Sequence, residues 1–139
     1  MLPGPCGCGK TLAARALKGP CPCSVIYADT PKCVTWIDTG REDARDFDAG
    51  GWVLDDLGRE SEKSDYGVRR NIVAEFLERQ YRAYSRRLWE YPPIITTNLD
   101  VDAMQRRYDA HIVSRLVEMF VIIKCQSPDH RLGKTMVIQ

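Results

Sequence analysis

No stretch of this 139-residue chain approaches the roughly eighteen apolar residues that a membrane span requires. The opening residues also lack a signal peptide's apolar core, so the sequence reads as that of a cytoplasmic protein with no membrane partner. Neither sign of charge dominates. The 20 Lys and Arg residues against 19 Asp and Glu leave +1, a total that neither implies nor excludes a local basic patch. Internal repeats, low-complexity tracts and linkers are missing, which removes repeat architectures and tethered domains. The length suits one domain able to bury a core, and 44% hydrophobic with 28% charged residues is ordinary for a globular protein.

Cysteine, by contrast, is plentiful: Cys6, Cys8, Cys21, Cys23, Cys33 and Cys125. The pairs Cys6-x-Cys8 and Cys21-x-Cys23 offer thiolates of the kind zinc takes, but a one-residue spacer is tighter than the usual spacing of roughly two to four. The first pair also lies inside a loop whose backbone has another task, argued below. Free, reduced thiols in a reducing cytosol are the reading adopted here.

Strands and helices alternate along the chain. Leu12 to Lys18 is rich in helix formers and stops at Gly19-Pro20. Ser24 to Ala28 is a short β-branched and aromatic run, read as a buried strand. Lys32 to Asp38 fits either a strand or a helix start, and the rest of Asp29 to Gly50 reads as polar loop. Trp52 to Leu54 is a second apolar strand, closed by Asp55-Asp56. Val68, Ile72, Val73, Phe76, Leu77, Tyr81 and Tyr84 recur at three- and four-residue steps, predicting one long amphipathic helix. Pro92-Pro93 opens a strand over Ile94 to Thr97, and Val101–Tyr108 and His111–Met119 read as two short helices. Phe120 to Lys124 is predicted to be a last buried strand. This alternation means an α/β protein with a mainly parallel sheet.

Three short segments carry chemistry. Gly4, Pro5, Cys6, Gly7, Cys8, Gly9, Lys10 and Thr11 match the phosphate-loop pattern Gly-x-x-x-x-Gly-Lys-Thr. Its glycines let backbone N–H groups approach phosphate oxygens, and the helix that follows adds its positive end. Lys10 supplies a point charge for the β- and γ-phosphates, and the Thr11 hydroxyl is placed for magnesium, making ATP and Mg²⁺ the expected ligands. Asp55 is the candidate metal ligand through water, and Asp56 the group that polarises an attacking water. At the tip of Ile94–Thr97, Asn98 has an amide suited to orienting that same water.

Taken in order, these segments resemble the AAA+ ATPases of the DnaC helicase-loader and IstB transposition-helper group. Asp55-Asp56-Leu57-Gly58-x-Glu60 is similar to their second nucleotide motif, and Ile94-Ile95-Thr96-Thr97-Asn98-Leu99 to their sensor 1. Phe76 to Tyr84 is similar as well, and Ser114-Arg115-Leu116 resembles the box that carries the arginine finger. The ending Ser127 to Arg131 resembles their serine-to-arginine close. The resemblance implies a three-layer P-loop NTPase core over residues 1–131, with 132–139 as a tail; the helical lid usual in the family is expected to be absent here. It further implies a magnesium-dependent ATPase working as a homo-oligomer, with Arg115 reaching a neighbour's γ-phosphate and Arg131 as a sensor 2 group. A replicative helicase or a transposase is the implied partner.

The long helix adds Arg69, Arg70, Arg79, Arg82, Arg86 and Arg87 among Tyr81, Tyr84 and Trp89. Such interleaving suits single-stranded DNA, although the tyrosines also fit the core and the arginines a solvated face. The pattern departs from the resemblance at its start. Only Met1, Leu2 and Pro3 precede the phosphate loop, so the first central strand is expected to be missing and the core to be amino-terminally truncated. Helicase loading is the leading reading. A transposition helper, a nucleotide-switched adaptor with negligible hydrolysis, a non-functional fragment and a P-loop small-molecule kinase are the alternatives.

Overall fold

The computed structural model describes residues 1–17, 27–29, 47–60, 63–65 and 68–129. The elements in order are β1 (Leu2–Pro3), α1 (Lys10–Leu17), β2 (Tyr27–Asp29), β3 (Val53–Leu57), β4 (Lys63–Asp65), β5 (Val68–Arg70), α2 (Ile72–Ser85), β6 (Ile94–Thr97) and α3 (Val101–Met119). Four strands form a parallel sheet in the order β1-β6-β3-β2, while β4 and β5 pair separately as an antiparallel hairpin.

Successive strand residues point to opposite faces, and both faces of this sheet are covered. Val53 and Ile94 pack with Leu2 and with Ala14 of α1 on one side. Leu54 and Ile95 pack on the other side with Val73, Phe76 and Leu77 of α2 and with Met104, Ile112 and Leu116 of α3. The result is three layers, helix, sheet and helix. The buried run Val53-Leu54 and the pair Ile94-Ile95, of which Ile94 is half-buried, lack polar alternation because helices cover both faces of the sheet. Each large apolar side chain buried there contributes about 1.5–3 kcal/mol. Trp52 and Trp89 close the amino-terminal ends of the strands, and both indoles donate to Oε1 of the fully buried Gln80, at 3.1 and 3.4 Å.

Several expectations change at the element ends. The predicted long helix does not include Val68: Val68–Arg70 is β5, and α2 begins at Ile72. Asn71 sets that start, because its side chain accepts the Ala74 N–H at 3.0 Å and so satisfies a donor the first turn leaves over. Val101–Met119 is traced as one helix, but Asp109 (φ 64°, ψ 152°) interrupts the helical path near the predicted break between two helices.

The run Phe120 to Lys124 is not a buried strand. Phe120 is buried, whereas Val121 is 79% and Ile123 52% exposed. Its backbone nevertheless runs along β1, with Ile123 N–H donating to Met1 O at 2.9 Å and Cys125 N–H to Pro3 O at 2.8 Å. On its other side β1 pairs with β6, Leu2 beside Thr96 and Pro3 beside Thr97. The strand expected to be missing is therefore present as two residues, and both flanking segments find backbone partners through it. Cys21, Cys23, Cys33, most of the predicted strand at 24–28, the ambiguous stretch 32–38, Arg131 and the tail 132–139 lie outside the described residues. Among the described residues no helix is long and apolar enough to cross a membrane.

Candidate functional site

The phosphate loop leaves β1 at Gly4 and enters α1 at Lys10, at the carboxyl ends of the strands. Gly7 (φ +75°) and Gly9 (φ +88°) adopt the left-handed backbone that side chains disfavour. At Gly7 the space is taken too, because the Asp129 carboxylate lies where a Cβ would stand. Asp129 thus lies directly against the loop.

Lys10 is 6% exposed. Its ammonium donates to Gly4 O at 2.8 Å, Pro5 O at 2.6 Å and Asn98 Oδ1 at 2.7 Å, and lies 3.7 Å from Cys8 Sγ. Gly4 O, Pro5 O and Asn98 Oδ1 are carbonyl and amide oxygens, so among the described residues the ammonium is oriented by dipoles. Cys8 is buried beneath the loop, and the neighbouring Cys125 thiol is pushed above its usual range by burial and then by Cys8 itself.

β3 runs on past the expected end at Leu54, so Asp55 and Asp56 lie within its second half, beside this loop. The Thr11 hydroxyl donates to both Asp55 oxygens, at 3.0 and 2.9 Å, and the Thr96 hydroxyl to Oδ1 at 2.5 Å. Asp56 accepts from Asn98 Nδ2 at 3.5 Å and pairs with Arg59 at 2.9 Å. Lys10, Thr11, Arg15, Asp56, Arg59 and Asn98 line one polar hollow of about 560 Å³. A larger hollow, of about 710 Å³, is lined by Trp52, Trp89, Tyr91, Pro92 and other mainly apolar residues, and it holds none of these groups. Volume therefore does not locate the chemistry; the polar hollow does.

The donor set fits a hard divalent cation. A hydroxyl and a carboxylate converge at Thr11 and Asp55, and among the described residues no cluster of three or more His, Cys, Asp or Glu side chains forms a full metal cage. Mg²⁺ is commonly held in this way, by one or two protein oxygens together with water and substrate phosphates.

Sequence reasoning brings Gly4 to Thr11, Asp55, Asp56 and Asn98 to one place, and the structure places them there together. Arg115 lies elsewhere. It pairs with Glu78 of α2 and stands 4.6 Å from the ring centre of Tyr81, in the seam between α2 and α3. The arginine–aromatic stretch of α2 is also engaged internally. Arg79 makes a two-pronged contact with Asp48 at 3.0 and 2.9 Å, and Tyr84 packs on Trp89 with ring centres 5.2 Å apart.

Sequence reasoning missed Arg59, Thr96, Asp129 and the surroundings of Glu60. Glu60 is buried, accepts from Gly58 N–H at 3.0 Å, and binds the Tyr108 hydroxyl and the Arg107 guanidinium. Burial, and then Glu60, holds the Tyr108 phenol above its ordinary range. Arg59 had a local signal, one residue past Asp55-Asp56-Leu57-Gly58. The contacts of Glu60 with Arg107 and Tyr108 had none.

A parallel sheet whose first strand feeds a glycine-rich loop and a helix, with paired carboxylates in the second half of a nearby strand, defines a P-loop NTPase-like α/β fold. Among solved structures the chain is similar to the crystal structure of the DnaC helicase loader, at a TM-score of 0.58 and 23% identity over 89% of this chain and 76% of that one. At this identity the likeness shows the fold. No protein-family profile matches the sequence, and neither does any curated protein.

Proposed function

We propose that this protein is a magnesium-dependent ATPase of the AAA+ type that assists DNA replication as a helicase loader. The observation that carries the reading is the meeting of Lys10, Thr11, Asp56 and Asn98 around one polar hollow, with Asp55 joined to it through the Thr11 hydroxyl. Gly4 to Thr11 bind the triphosphate, and Lys10 keeps its charge directed toward it through neutral acceptors. Thr11, and Asp55 through water, would hold Mg²⁺, and the bound ion would supply positive charge against the phosphates. Asp56 accepts a proton from the attacking water, which Asn98 orients from the neighbouring strand. Arg59, 66% exposed at its side chain, holds Asp56 from the solvent side.

The loader role rests on the fold shared with the DnaC structure and on the segments that resemble its group. It brings a replicative helicase as partner, single-stranded DNA as a further ligand, and a homo-oligomer in which Arg115 serves the neighbouring site. Replacing the phosphate-loop cation tests the ATP reading first. Lys10→Ala should lower affinity for a fluorescent ATP analogue at least a hundredfold while the circular dichroism spectrum stays parental. Equal affinity in the two folded proteins would remove nucleotide binding from this cleft.

A further inference from the structure

A regular strand sends adjacent side chains to opposite faces, so two consecutive carboxylates on β3 should not serve one cleft. The ladder between β3 and β6 shows how they do. Val53 stands beside Ile94 and Leu54 beside Ile95, but Leu57 stands beside Thr97. Asp55 and Asp56 together therefore face the single residue Thr96, the two-against-one arrangement of a β-bulge. Asp56 completes it with a left-handed backbone (φ 57°).

A bulge leaves a backbone group without its ladder partner. Here the Asp56 N–H is taken up by a side chain, donating to Thr96 Oγ1 at 2.9 Å. The same hydroxyl donates its own proton to Asp55 Oδ1 at 2.5 Å. One oxygen, on a residue with no exposed surface, thus fixes the main chain of one carboxylate and the side chain of the other. Thr11 grips Asp55 from the phosphate loop, so Thr96 also ties β6 into the contact between the loop and β3.

We propose that Thr96 is a positioning residue whose hydroxyl pins the bulge and thereby holds Asp55 and Asp56 in the same cleft. It touches neither substrate nor metal, and acts through the two aspartates. The proposal rests on the ATPase reading for its consequence in function, but not for the pin itself.

Thr96→Val keeps the shape and removes the hydroxyl, whereas Thr96→Ser keeps the hydroxyl and removes a methyl. In the full chain, amide hydrogen exchange followed by NMR reads the pin directly. Exchange at Asp56 N–H should speed up at least tenfold in Thr96→Val and stay within about threefold of the parent in Thr96→Ser. Titrating Mg²⁺ at fixed ATP analogue reads the consequence. The Mg²⁺ concentration for half-maximal binding should rise roughly tenfold in Thr96→Val and not in Thr96→Ser. If Thr96→Val does not fold, Thr96→Ala against Thr96→Ser makes the same comparison. Unchanged Asp56 exchange on loss of the hydroxyl overturns the pin, and equal Mg²⁺ requirements in the Val and Ser variants overturn the positioning role. A parent that binds no ATP analogue at any Mg²⁺ concentration would overturn the ATPase reading and with it the functional half of the proposal, while the exchange data still decide the pin.

Discussion

At the carboxyl ends of the strands, Lys10 meets two carbonyls, an amide oxygen and a thiol, while in the seam between α2 and α3, Arg115 meets the carboxylate of Glu78 and the face of Tyr81. Both regions concentrate charge on partly buried side chains, and they use it differently. In the cleft the cation is held by dipoles, so an arriving anion need not displace a carboxylate from it. In the seam the charges face each other, and His111 joins the same Glu78 at 2.8 Å. The seam is first of all a structural joint, and any second task for Arg115 has to be reached by leaving it.

The largest effect expected in the cleft is on turnover. Asp56→Asn keeps the shape at the end of β3 but removes the proton acceptor, and general-base catalysis contributes about 10²–10⁴ in rate. ATP hydrolysis measured by phosphate release should fall at least a hundredfold, with analogue affinity changed less than about threefold. Hydrolysis at the parental rate would strip Asp56 of its role. A parent that releases no phosphate above background would instead leave the cleft as a binding site only, close to the adaptor alternative.

A structural joint of the other kind sits next to the cleft, where Glu60 ties the loop after β3 to the first half of α3. Glu60→Gln leaves Arg107 and Tyr108 with a neutral partner. Because Arg107 is 28% exposed at its side chain, the expected loss is about 1–3 kcal/mol, read as a lower denaturant midpoint. The clamp also sets an alkaline response. The folded state holds the Tyr108 proton above the ordinary phenol value of 10.0, so the unfolded chain ionises first as pH rises. This part of the stability is present below about pH 10 and declines above it. Tyr108→Phe should make denaturant midpoints at pH 9 and pH 10.5 differ less than in the parent. An unchanged difference would mean that Tyr108 does not carry the alkaline loss.

The cleft was legible in the sequence to the extent that its parts are contiguous. Gly4 to Thr11, Asp55-Asp56 and Asn98 each sit at the end of an apolar run, and a parallel sheet delivers such ends to one edge whatever the loops do. What joins the parts was not legible. Thr96 looks like one more β-branched strand residue until the register places it opposite two aspartates, and Glu60 meets Tyr108 across 48 residues. Helix and strand ends were misjudged for a related reason. Val68 fits a helical stripe as well as a hairpin strand, and the cap at Asn71 decides between them. Val121 to Ile123 reads as core by composition, yet its backbone is what the sheet uses, and Val121 and Ile123 remain largely exposed.

The smallest effect sharpens the comparison most, because it asks whether the seam does anything besides hold two helices together. If Arg115 serves a neighbouring subunit, Glu78 competes for it, and neutralising Glu78 should release it. Glu78→Gln should then raise ATP turnover per subunit, by roughly twofold. The unfolding free energy should change by less than about 1 kcal/mol, since the Glu78 and Arg115 side chains are 26% and 31% exposed and solvent screens them. If Arg115 is only structural, Glu78→Gln and Arg115→Ala should lower stability together, and neither should change turnover beyond the loss of folded protein. Mixing completes the test. Arg115→Ala protomers keep an intact phosphate loop, and Lys10→Ala protomers keep an intact arginine, so mixed oligomers contain sites with both. Activity should rise above that of either variant alone. No recovery across a range of mixing ratios, with mixed assembly confirmed by mass, would leave Arg115 as the partner of Glu78 and Tyr81 and nothing more.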